Sequence, residues 1–176
     1  MHDMAAATAP DGLLWLHRAA VRPEWIDYNG HMNEAYYVLI FGDATDAFYD
    51  HVGLDDTARR RDDVSIYTME AHIRYLVEAP VGTELRIATR VLDHDAKRLR
   101  LHHAMHRARD GVTLAVTELA ALHVNKSTLR ASPFGAVAAA RIAGIAHAQS
   151  ALAAAEPALT RHWFAAMPQA HAGASA

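Results

Sequence analysis

Between about Asn33 and Val52, apolar residues return at the spacing of one helix face: Tyr37, Phe41, Ala44, Phe48 and Val52. Asp43, Asp46 and Asp50 gather on another face, so the pattern predicts one long amphipathic helix. Asn33 can cap its start and Gly53 can end it. At roughly 1.5 Å per residue, about 18 residues make a rod of about 27 Å, which needs a sheet to cover its apolar stripe.

The period then changes to two. Tyr67, Met69, Ala71, Ile73, Tyr75 and Val77 alternate with Thr68, Glu70, His72, Arg74 and Leu76, as in a half-buried strand. Pro80 and Gly82 mark a turn. Residues 84–93, 97–108 and 112–125 read as further strands, separated by His94-Asp95-Ala96 and by Asp110-Gly111. A first strand spans Leu13 to Val21, and Pro23 turns it into a loop from Trp25 to Met32. After Pro133 an Ala-rich run to about His147 is helical in pattern, and a second short helix is expected near Ser150 to Ala155. The fold class is therefore α+β: one long helix packed on an antiparallel sheet of about five strands, with a C-terminal helix. Residues 12–165 are expected to form one domain, with 1–11 and 166–176 as loose Ala-, Gly-, Ser- and Pro-containing tails.

Composition narrows the functions open to this fold. The 176 residues, 52% of them hydrophobic, are enough for a core without staples. Lys and Arg total 17 against 20 Asp and Glu, a net charge of -3, so no basic field is available for nucleic acid or an anionic membrane. The absence of Cys excludes disulfides, zinc-thiolate sites and thiol nucleophiles. No stretch has the length of a membrane span, and the start MHDMAAATAPDG lacks the features of a secretory signal, so a cytoplasmic protein is expected. No metal or cofactor is expected either. Among the 13 histidines, His102 and His106 on one strand face would stand about 13 Å apart, too far to share an ion. No serine lies in a nucleophile elbow and no Gly-rich phosphate loop is present.

The segment richest in chemistry runs from Arg22 to Tyr37 and contains Asp27-Tyr28-Asn29-Gly30-His31-Met32-Asn33-Glu34. It sets a carboxylate and a Gly-containing turn directly ahead of a helix start. Free N–H groups near Asn33 to Ala35 and the positive end of the helix dipole can there steady a carbonyl oxygen that becomes anionic, an arrangement suited to acyl transfer. Asp27 would act as nucleophile or as general base, with Glu34 and Glu70 as reserve bases. The plainer role for Asp27 is to cap the turn or the helix, and Asn29 and Asn33 fit turn and cap positions.

On Asp27, Gly30, His31, Asn33 and Tyr37, the chain resembles the 4-hydroxybenzoyl-CoA thioesterase type of hotdog protein, over roughly Leu13 to Val124. The resemblance implies acyl-CoA as partner and a dimer or dimer of dimers with active sites between subunits. Extended through Phe41 to Phe48, Tyr67 to Ile73 and Lys97-Arg98-Leu99, it narrows to the thioesterases of carnitine breakdown, which implies hydrolysis of betainyl-CoA to glycine betaine and CoA. Some of that group are fused to a carnitine dehydrogenase, but the glycines near the N-terminus make no dinucleotide fingerprint, so a stand-alone thioesterase is expected.

A quaternary ammonium substrate directs attention to Trp25, Tyr28, Tyr36, Tyr37, Phe41 and Tyr67. Trp25 and Tyr28, on the loop, are the stronger cage candidates, whereas Tyr37 and Phe41 at helical spacing fit core packing. His31 either orients Asp27 or the thioester, or is a turn residue at the helix entrance. Lys97, Arg98 and Arg100, with Lys126 and Arg130, are candidate contacts for CoA phosphates and equally serve as surface charge. A hotdog enoyl-CoA hydratase or dehydratase and a non-catalytic acyl-CoA-binding protein are the competing readings.

Overall fold

The computed structural model describes residues 12–152 of the chain. The long helix, α1, spans Glu34–Val52. Asn33 caps it from an extended conformation, its side chain accepting a hydrogen bond from the Ala35 N–H at 2.9 Å. Gly53 closes it at φ +87°, a left-handed conformation in which a side chain would crowd the backbone. Every residue of the predicted apolar face is buried, joined by Ile40, Thr45 and Tyr49, and Asp43, Asp46 and Asp50 are exposed.

The sheet holds β1 (Leu14–Ala20), β2 (Val64–Tyr75), β3 (Glu84–His94), β4 (Arg98–Arg107) and β5 (Thr113–Asn125), all pairs antiparallel, in the order β1-β3-β4-β5-β2. A two-residue β6 (Arg130–Ala131) adds to β5. Helix α3 (Ala136–Gln149) agrees with the Ala-rich run, and the hairpin turns fall where Asp95 and Gly111 predict them. Three short elements carry no readable periodicity: a 3-10 turn at Pro23–Trp25, helix α2 (Asp56–Arg61) and β6. The tails expected at 1–11 and 166–176, and all but the start of the second short helix, lie outside the described residues. Among the described residues, no helix is long and apolar enough to cross a membrane.

Strand β2 departs from simple alternation. Thr68 opposes Ala121 and Glu70 opposes Ala120, so Met69 is an extra residue in a β-bulge. Cross-strand partners share a sheet face. Ile66, Thr68, Ala71, Ile73 and Tyr75 therefore lie on the face of Ala121, Leu119, Thr117 and Ala115, while Tyr67, opposite Leu122, turns to the other side.

That first face meets α1. Phe48 and Val52 pack with Leu99, Leu101 and Leu119, and Tyr37, Ile40 and Phe41 pack with Leu85, Ile87 and Met105. His103 is fully buried between the layers, its Nε2 3.0 Å from Thr45 Oγ1 on α1 and its Nδ1 2.9 Å from Thr89 Oγ1 on β3. Thr45 donates its own proton to the Phe41 carbonyl at 2.9 Å, so His103 Nε2 carries the hydrogen and Nδ1 accepts from Thr89. Burial, reinforced by the charges of His102 and His17, holds this imidazole neutral, with its pKa pushed down to about 3. Across the sheet end, buried Gln149 ties α3 down: its Oε1 accepts from the Val91 N–H at 2.8 Å and its Nε2 donates to the Thr89 carbonyl at 3.3 Å.

Candidate active site

Asp27 sits at the head of a tight hairpin that delivers the chain into α1. Ile26 and Met32 form an antiparallel bridge, the Asp27 N–H donates to the His31 carbonyl at 3.0 Å, and the Gly30 N–H donates to the Asp27 carbonyl at 3.0 Å. Gly30 adopts φ +83°, the left-handed conformation that lets so short a hairpin close. The Asp27 carboxylate accepts the Asn29 N–H at 2.8 Å through Oδ1. It thus fulfils the turn-forming role that an Asp at this position is suited to. Its second oxygen, Oδ2, has no hydrogen-bond partner among the described residues. Two further bonds anchor the hairpin: Met32 N–H to the Ala79 carbonyl at 2.9 Å, and Asn33 N–H to the Trp25 carbonyl at 2.9 Å.

The helix entrance offers fewer donors than a free terminus would. The Asn33 amide is committed to Trp25, the Ala35 amide to the Asn33 side chain, and the Tyr36 amide to the Asn33 carbonyl at 3.1 Å. The Glu34 N–H is left without a partner among the described residues, so one main-chain donor stays open at the positive end of the dipole. Asn33 is accordingly a cap.

Asp27 and Glu34 line a cleft of about 500 Å³ whose other wall is the segment from Tyr75 to Glu78, just past β2. Among the described residues, its lining carries the carboxylates of Asp27, Glu34 and Glu78 and no Lys or Arg. His31 enters the cleft and pairs with Glu78, Nε2 to Oε2 at 3.0 Å, while its main-chain carbonyl accepts the Asp27 N–H. Tyr37, buried on α1, and Tyr75, half exposed at the end of β2, meet edge to face with ring centroids 5.2 Å apart and planes at 82°. Burial chiefly pushes both phenols above their ordinary range. The charge of Glu78 adds at Tyr37 against a main-chain hydrogen bond from Ala79, and the charge of Glu34 adds at Tyr75. Both rings are neutral at physiological pH.

Other expected site residues go elsewhere. Trp25 is buried and stacks on Tyr36 at 5.2 Å, with the Arg22 guanidinium 5.1 Å from the Trp25 ring centre, so these rings are engaged outside the cleft. Tyr28 projects from the hairpin tip, 96% exposed. Phe41 is core, stacked on His103. Tyr67 lies on the far face of β2. Arg98 pairs with Asp95, and Arg100 makes an ion pair with buried Glu118 at 3.1 Å. Both belong with Lys97 to the Leu122 end of the sheet, whereas the cleft adjoins the Ala115 end. Glu70 contacts His72 on exposed surface. Sequence reasoning placed Tyr75 on a strand face without assigning it to the site and passed over Glu78. Both are 48 or more positions from Asp27, and the bond between Met32 and Ala79 that joins the segments has no local signal. Among the described residues no cluster of His, Asp and Glu is arranged to hold a metal ion.

Residues 21–142 match the family described as the Thioesterase-like superfamily. The chain is 40% identical over 140 residues to a betainyl-CoA thioesterase of Pseudomonas aeruginosa, covering 80% of this chain and 88% of that protein. It is 49% identical over 117 residues to an L-carnitine dehydrogenase/betainyl-CoA thioesterase of Agrobacterium fabrum, of which the match covers only 24%, against 66% of this chain. A Staphylococcus aureus protein solved in complex with CoA superposes with a TM-score of 0.72 at 27% identity, covering 89% of this chain and 94% of that one. The match to the family model across most of the described fold, with a curved antiparallel sheet and its central helix in place, means that the chain belongs to the thioesterase-like superfamily of hotdog proteins.

Proposed function

We propose that this protein hydrolyses a short acyl-CoA thioester, betainyl-CoA, to glycine betaine and free CoA. The observation that carries the reading is Asp27: a carboxylate with one oxygen held by its turn and the other without a donor among the described residues, in the same cleft as the N-terminal residue of α1. In the reaction the C–S bond breaks, a C–O bond forms at the acyl carbon, and the sulfur leaves as CoA thiolate, which takes up a proton. Asp27 serves either by accepting a proton from the attacking water or by attacking the carbonyl itself and being released from a mixed anhydride by water. In both routes the oxyanion faces the Glu34 N–H. The name of the Pseudomonas relative supports the substrate, and the CoA bound to the Staphylococcus aureus protein supports the leaving group.

Asp27→Asn tests the assignment, because the amide oxygen can still accept the Asn29 N–H while the side chain neither attacks nor takes a proton. CoA release followed with a thiol reagent is expected to fall by about 10²–10⁴-fold with the circular dichroism spectrum unchanged. Retention of activity within a few-fold would remove Asp27 from the chemistry.

The reading extends to the assembly. Strand β2 ends the sheet, its outer edge unpaired among the described residues, and Tyr67, Met69 and Tyr75 along it are exposed. Such an edge is a template for another strand, and we assign it to a second copy of the chain. Antiparallel pairing of two β2 strands sets the Tyr67 and Arg98 end of one chain beside the Tyr75 end of the other.

A further inference from the structure

We infer that the corner formed by Tyr37 and Tyr75, with Glu34 and Glu78 beside it, is the subsite that receives the cationic head of the acyl group and sets the enzyme's preference for a quaternary ammonium. The inference rests on the thioesterase reading above and goes beyond it by naming the selecting residues.

Substrate geometry confines the search. In a betainyl thioester a single methylene separates the trimethylammonium nitrogen from the carbonyl carbon, a span of about 2.5 Å by ordinary bond lengths. A carbonyl held between Asp27 and the Glu34 N–H therefore puts the charge in the same cleft. The stacked Trp25 and Tyr36 are excluded because they do not line it, and Arg22 already lies over Trp25. Tyr28 and Tyr67 are excluded by position.

What remains suits this ligand. A trimethylammonium group donates no N–H, so it is recognised by aromatic rings and diffuse negative charge. Tyr37 and Tyr75 stand nearly perpendicular, two walls of one corner, and the cleft adds Glu34 and Glu78 with no Lys or Arg among the described residues that line it. The two acids act electrically on this pair, Glu78 on Tyr37 and Glu34 on Tyr75. The buried ring of Tyr37 is the fixed wall. Tyr75, half exposed at the end of the edge strand, is the wall that substitution can remove with least effect on the core.

The test compares betainyl-CoA with 3,3-dimethylbutyryl-CoA, in which a tert-butyl group replaces trimethylammonium at nearly the same shape without the charge. We expect wild-type kcat/KM to favour the cationic ester by about ten-fold or more, and Tyr75→Leu and Glu78→Gln each to lower that ratio by about five-fold. Circular dichroism serves as the folding control. A wild-type ratio near one, or variants that depress both esters in parallel, would overturn the subsite while leaving thioester hydrolysis intact. If wild-type protein released CoA from neither ester, the thioesterase reading would fail. Calorimetric binding of glycine betaine against 3,3-dimethylbutyrate would then decide the subsite: tighter binding of the cation, weakened by Tyr75→Leu, sustains it, and equal binding rejects it.

Discussion

Acidification from about pH 7.5 to about pH 4.5 probes the link between α1 and the sheet through His103. In the folded chain this imidazole is fully buried, donates to Thr45, accepts from Thr89 and has its pKa pushed down from 6.5 to about 3. In the unfolded chain it titrates near its ordinary value. Between those two values the unfolded state binds the extra proton, so stability rises with pH. The contribution is complete above about 6.5, declines as pH falls and is exhausted near 3. At about 1.4 kcal/mol per pH unit, a point two units below 6.5 costs about 3 kcal/mol, a large fraction of the ~5–15 kcal/mol typical of a domain. Urea unfolding of wild type and His103→Gln at both pH values, at one protein concentration, isolates this share. Other titrations, such as the carboxyl of Asp95, where burial is outweighed by hydrogen bonds from Lys97 and Arg98 that hold it low, are common to both proteins. His103→Gln should be less stable at neutral pH, through loss of the packed ring, and should lose about 3 kcal/mol less than wild type on acidification. Equal losses in the two proteins would refute the claim that His103 stays neutral between α1 and β3.

Asn33→Ala removes the side-chain acceptor for the Ala35 N–H and should cost about 1 kcal/mol in thermal or urea unfolding. Because the freed Ala35 amide lies beside the cleft, the same variant should alter kcat less than Asp27→Asn does. If β2 pairs with a second copy, light scattering during gel filtration should give an even multiple of the 19.2 kDa chain mass, and Met69→Lys should shift the population toward the single chain. A monomer at micromolar concentration would end that proposal.

Much of this architecture was legible before folding because it rests on local periodicity. The face made by Tyr37, Phe41, Ala44, Phe48 and Val52 is fixed by 3.6 residues per turn whatever covers it, and all of these residues are buried. The turn that follows Asp27 was also legible, since an Asp, a Gly and an Asn cap act on neighbours within a few residues. The cage was not. Proposed from the rings of Trp25, Tyr28, Tyr36, Tyr37, Phe41 and Tyr67, it disperses in three dimensions, because Trp25 turns to Tyr36 and the Met69 bulge carries Tyr67 to the opposite face.

The chain's own order of residues thus determined its elements, its central helix and the turn that presents the carboxylate, through short-range steric and hydrogen-bonding preferences. Only the tertiary structure decided what faces that carboxylate. Tyr75, Glu78 and the His31–Glu78 pair reach the Asp27 cleft because the end of β2 meets the start of α1 through the Tyr37 and Tyr75 rings and Ala79 receives the Met32 amide. Contacts between segments so far apart along the chain depend on register and packing, and a single bulge is enough to reverse which side chains take part.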